Sequence, residues 1–162
     1  MFRTVPTEEP DSLTAAKSYA FRLLSRRPYS RVELTRRLER KGFSEGVSQE
    51  TVKLIERYGY VNDNELAKRE VEQCLQVKKL GPKRIRLRLH TRGIAPETIE
   101  EVLSSIDADS VYRLCLEEAR TKLATMSEPD AYKKQSRLGS FLLRRGFGFE
   151  CVTKCLRELT EA

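Results

Sequence analysis

His90 is the only histidine in the 162-residue chain, so Ser-His or Cys-His nucleophilic chemistry would rest on it alone. It stands among Arg86, Arg88 and Arg92, with no acid near it in sequence to orient an imidazole. Cys151 and Cys155 are four residues apart, a spacing that could set two thiolates on one helix face and around one metal ion. Neither the G-x-x-x-x-G-K-[ST] phosphate loop nor a G-x-G-x-x-G turn is present. The cysteines have a simpler reading, given below, as small core side chains. No catalytic residue, metal site or cofactor is expected, and no enzyme is visible.

Binding chemistry is more legible. From Gln73 to Pro96 there are seven basic residues and no acidic one, an excess equal to the net charge of +7. They are Lys78, Lys79, Lys83, Arg84, Arg86, Arg88 and Arg92. Glu97 to Asp109, directly after, carries five acids and no base. A second basic run, with Arg144 and Arg145 near its end, has no acid between Lys133 and Phe149. Such asymmetry points to a polyanion or an acidic protein surface as partner. If Ile85 and Leu89 mark the buried line of a helix, Lys83 lies nearly opposite and Arg84 and Arg86 flank it. Arg88 and Arg92 project closer to the core, with stems that can pack while their heads reach water.

The elements that carry these residues recur. Leu34, Leu38 and Gly42-Phe43 repeat as Ile85, Leu89 and Gly93-Ile94, and again as Leu138, Leu142 and Gly146-Phe147. Apolar residues four apart share a helix face, and a following glycine takes the left-handed turn that closes the helix. Basic residues in each last turn suit the negative end of the helix dipole. Around this frame the pattern predicts three helices per unit. Ser12–Arg26 buries Ala16, Ala20, Leu23 and Leu24. Ser30 and Glu33 form a capping box for the second helix. A third runs over Ser48–Tyr58. Asn62 caps a fourth, to about Lys79, whose Ala67, Val71, Cys74 and Leu75 match the first helix one for one. Pro82 opens the fifth helix, Pro96 the sixth. The alternation from Ile85 to Leu89 alone would suggest a strand, but the repeat overrules it. Leu87 then lies on an exposed or inter-repeat face. The third unit starts near Asp109, with Pro129 before its middle helix.

In this frame Cys74 holds the place of Leu23, and Cys155 that of Ile55 and Val102. The fold expected is all-α, an elongated, curved array of three tandem three-helix repeats. The limits are residues 1–11 for a flexible N-terminal arm, then 12–61, 62–107 and 108–162. The first residues lack the apolar core of a signal peptide, and no apolar run reaches membrane-spanning length. A cytoplasmic protein with reduced thiols and no membrane partner is expected.

Several short motifs, in order, resemble the bacterial RecX regulatory family over about residues 14–160. They are Gly59-Tyr60-Val61-Asn62-Asp63, Lys79-Leu80-Gly81-Pro82 before an Arg-rich helix, Arg92-Gly93-Ile94 and Leu143-Arg144-Arg145-Gly146-Phe147. Where that family usually has two adjacent Asp, this chain has Asn62-Asp63, and Asn caps a helix as well as Asp. The resemblance implies a non-enzymatic modulator that lies in the groove of the RecA–single-stranded-DNA filament. It would restrain RecA ATPase, strand exchange and coprotease activity in recombinational DNA repair and the SOS response. Its partners would be the RecA filament and single-stranded DNA, and the free protein is expected to be a monomer. The interface expected comprises Lys78, Lys79, Lys83, Arg84, Arg86, Arg88 and Arg92, with Arg144 and Arg145 second. The alternative is a helix-turn-helix-like DNA-binding regulator, although Arg-rich helices offer few Asn or Gln for reading adenine.

Overall fold

The computed structural model describes residues 8–161. Among the described residues there are nine α-helices and no strand. They are α1 (Leu13–Leu24), α2 (Arg31–Lys41), α3 (Glu45–Arg57), α4 (Asp63–Gln76), α5 (Pro82–Thr91), α6 (Pro96–Ser104), α7 (Ala108–Ala124), α8 (Ala131–Arg144) and α9 (Phe149–Glu161). Of the arm expected over residues 1–11, residues 1–7 lie outside the described residues. At its end the Pro10 carbonyl accepts the Ser44 amide at 2.9 Å.

Local chemistry sets most helix ends. The Ser12 hydroxyl caps α1, and Ser30 with Glu33 forms a reciprocal capping box on α2. Asn62 accepts the Glu65 amide at 3.1 Å to start α4. Gly42, Gly59, Gly93 and Gly146 all have positive φ, the conformation that lets the chain leave a helix without a Cβ clash. Two ends differ from the sequence reading. α3 begins at Glu45 rather than Ser48, because Phe43 is buried and Ser44 already takes the extended N-cap conformation. α4 stops at Gln76 rather than Lys79. The Val77 and Lys78 amides converge on the Gln73 carbonyl, and Lys79 turns left-handed at φ 53°.

The chain divides into two compact units. One comprises the chain through Ala67 with Thr91–Ala95, the other Lys68–His90 with the chain from Pro96 onward. The first is built on α1–α3, where Ala16, Ala20, Leu34, Leu38 and Ile55 are wholly buried. In the second, Cys115, Ala119, Leu142, Phe147 and Cys155 form the centre of the α7–α9 core. α5 buries Ile85 and Leu89, and α6 buries Ile99 and Val102, the pattern the repeat predicts.

Candidate functional site

Nine basic residues make up the sequence-predicted interface, and acids on other helices occupy six of them. Glu70 on α4 is 7% exposed and takes both Lys78 at 3.2 Å and Arg88 at 2.8 Å. Burial alone would raise its pKa; the hydrogen bonds from Arg88 and Lys78 overcome that and hold it down at about 2. Arg86 makes two hydrogen bonds to Glu100 on α6, at 3.0 and 2.8 Å. Lys79, in its left-handed turn, reaches Glu117 on α7 at 3.2 Å. Lys83, Arg84 and Arg144 have no ion pair among the described residues, and all three are exposed.

Arg92 and Arg145 act alike, once in each unit. Arg92 bonds the capping-box carboxylate of Glu33 at 2.9 Å and the Pro28 carbonyl at 3.1 Å. Its own carbonyl accepts the Ser30 hydroxyl, so within the first unit the Thr91–Ala95 segment closes on the start of α2. Arg145 bonds Glu118 at 2.9 Å and the Lys78 carbonyl at 2.6 Å. Its carbonyl accepts the Gly81 amide at 2.9 Å, and the Gly146 carbonyl accepts that of Lys83 at 3.0 Å. Carbonyls left unpaired past the C-terminus of α8 thus meet amides left unpaired at the N-terminus of α5. Contact is close enough to need glycine. A Cβ on Gly81 would come within 2.4 Å of Gly146, one on Gly146 within 2.4 Å of Arg84, and one on Gly93 within 2.6 Å of Val32.

This junction also gathers what the sequence separates. Lys83 and Arg84 at the start of α5 adjoin the chain just past Arg144 at the end of α8. Asp63, in the first unit, accepts the Arg31 amide at 2.9 Å, which gives the acid of the boundary motif a capping role on α2.

The thiols behave as core. Cys74, Cys115 and Cys155 are buried and Cys151 half-buried. The Cys115 thiol is pushed up by its hydrogen bond with Cys155 and by burial, which keeps it protonated. No group of three or more His, Cys, Asp or Glu suited to a metal occurs among the described residues. Nor is any helix among them long and apolar enough to cross a membrane. His90 is exposed on α5.

Sequence reasoning found the cations but missed Glu33, Glu70, Glu100, Glu117 and Glu118 as their partners. One signal was available for Glu70. It lies on the apolar face of α4 beside Ala67, Val71 and Cys74, where a carboxylate requires a cation.

These features define an all-helical protein of three tandem three-helix repeats. Sequence models of the first, second and third three-helix domains of RecX match residues 16–53, 62–103 and 109–156. The chain belongs to the RecX family of regulatory proteins. It is 31% identical over 140 residues to regulatory protein RecX of Chlorobium phaeobacteroides, covering 86% of this chain and 90% of that one. With regulatory protein RecX of Caldanaerobacter subterraneus it shares 34% over 141 residues, 87% of this chain and 68% of the relative. The crystal structure of RecX from Lactobacillus salivarius superposes with a TM-score of 0.84 at 21% identity, covering 93% of this chain and 97% of that one.

Proposed function

We propose that the protein is a non-enzymatic regulator that binds the RecA filament on single-stranded DNA and inhibits RecA ATPase, strand exchange and coprotease activity. Membership of the RecX family carries this reading. The site geometry supports a narrower interface than the charge run suggests. Lys83 and Arg84, with Arg144 beside their junction, form the contact surface, because their charge is not spent on an internal carboxylate. Lys78, Lys79, Arg86, Arg88, Arg92 and Arg145 act chiefly by holding helices in place.

The test is RecA ATPase on single-stranded DNA while this protein is titrated at fixed salt, with duplex DNA as control. Inhibition at less than one copy per RecA protomer is the expected result, and it points to blocked filament growth. Charge reversal at Lys83 and Arg84 abolishes it without changing helicity by circular dichroism. Absence of inhibition, together with tight binding to one duplex sequence, would instead establish a helix-turn-helix-like DNA-binding regulator.

A further inference from the structure

Leu87 is 52% exposed in the middle of α5, among basic residues and with no acid on that helix, and the repeat does not demand an apolar residue there. Its counterparts are Arg36 in the first repeat and Ser140 in the third. It borders a shallow groove of about 300 Å³ between α5 and α6, with Pro96 and Ile99 as the other apolar lining and Arg86, His90 and Glu100 at the edge. The Arg86–Glu100 pair is internally neutralised, leaving little charge on that rim. On α5 itself, Lys83 lies four residues before Leu87 and Arg84 three before, so both stand on the same side of the helix one turn away. Neither has an ion pair among the described residues. An apolar notch therefore adjoins two uncommitted cations. Phosphate needs no apolar notch, and an acidic peptide without an apolar residue would leave the notch wet.

We infer that the groove between α5 and α6 takes an apolar side chain of a protein partner, flanked in that partner by Asp or Glu that meet Lys83 and Arg84. Resting on the proposed function, this makes the contact one with RecA polypeptide rather than with the DNA it coats. Leu87 supplies the desolvated centre and the two cations supply orientation, the usual division in a small interface.

Leu87→Ser, with unchanged helicity, is expected to raise the concentration for half-inhibition of RecA ATPase about tenfold. Leu87→Met keeps an apolar tip and should inhibit as the wild type does. Binding of each protein to a single-stranded oligonucleotide without RecA, read by fluorescence anisotropy, should not differ. Independently of any loss of folding, a benzophenone amino acid placed at position 87 and irradiated with RecA on single-stranded DNA should couple to a RecA peptide carrying acidic residues beside an apolar one. Equal inhibition by wild type and Leu87→Ser overturns the inference while the proposed function stands. So does coupling to DNA alone, or a parallel loss of oligonucleotide binding. A wild-type protein without effect on RecA removes the proposed function, and this inference with it.

Discussion

Glu70 occupies a position that, by composition, belongs to the core, and its charge survives there because two cations converge on it. Its folded pKa of about 2 lies below the ordinary glutamate value of 4.5, so folding favours the ionised form. The stabilisation is complete above the unfolded value and is lost as pH falls from about 5 toward 2. Glu70→Gln keeps the shape and removes the charge from Lys78 and Arg88. It should cost about 2 kcal/mol at neutral pH, and the difference from wild type should shrink in acid. Thermal melts of both proteins at stepped pH values check this; parallel curves would mean that Glu70 is not the responsible group. The cysteines are a milder case. A position in the apolar stripe was enough to predict that Cys74 and Cys155 pack as core, and both are wholly buried.

At the scale of elements, a capping box gained a second use. Glu33 closes the start of α2, as the S-x-x-E pattern predicts, and the same carboxylate receives Arg92 from the Thr91–Ala95 segment of the same unit. Arg145 repeats the arrangement with Glu118 and the Lys78 carbonyl. Two arginines that look alike in sequence, Arg84 and Arg92, should therefore respond differently to the same change. Arg92→Met is expected to lower stability by about 1–2 kcal/mol, a fall of roughly 2–4 °C in Tm per kcal/mol. Arg84→Met should leave stability within about 0.5 kcal/mol and weaken RecA inhibition. Calorimetry paired with the ATPase assay separates the two; a destabilised Arg84→Met that still inhibits would reverse the assignment. Helix existence was legible in nearly every case, since caps and apolar periodicity are local. Helix length was less so at α4, whose end is set by a left-handed Lys79 that no residue preference announces.

At the scale of the whole molecule, the seven-cation run between Gln73 and Pro96 overstates what that segment offers for binding. Most of the basic run between Gln73 and Pro96 is neutralised by acids from α2, α4, α6 and α7. Within that run only Lys83 and Arg84 have no ion pair among the described residues, so the salt dependence it contributes should be modest. Raising salt from about 50 to about 200 mM should increase the half-inhibitory concentration of wild type more than that of a Lys83→Ala, Arg84→Ala, Arg144→Ala variant. Equal salt dependence in the two titrations would show that other cations carry the interaction.

By itself the sequence determined the helical character of the described residues, their grouping by threes, the Ser30–Glu33 and Asn62 caps and the buried stripe of each middle helix. All of these follow from spacings within one helix or from comparison of one repeat with the next. Which cations remain free was decided only by tertiary structure. Arg92 meets Glu33 across 59 residues of chain and Arg145 meets the Lys78 carbonyl across 67, distances over which periodicity carries no information. Charge runs in sequence count the ions, and folding then pairs them through space.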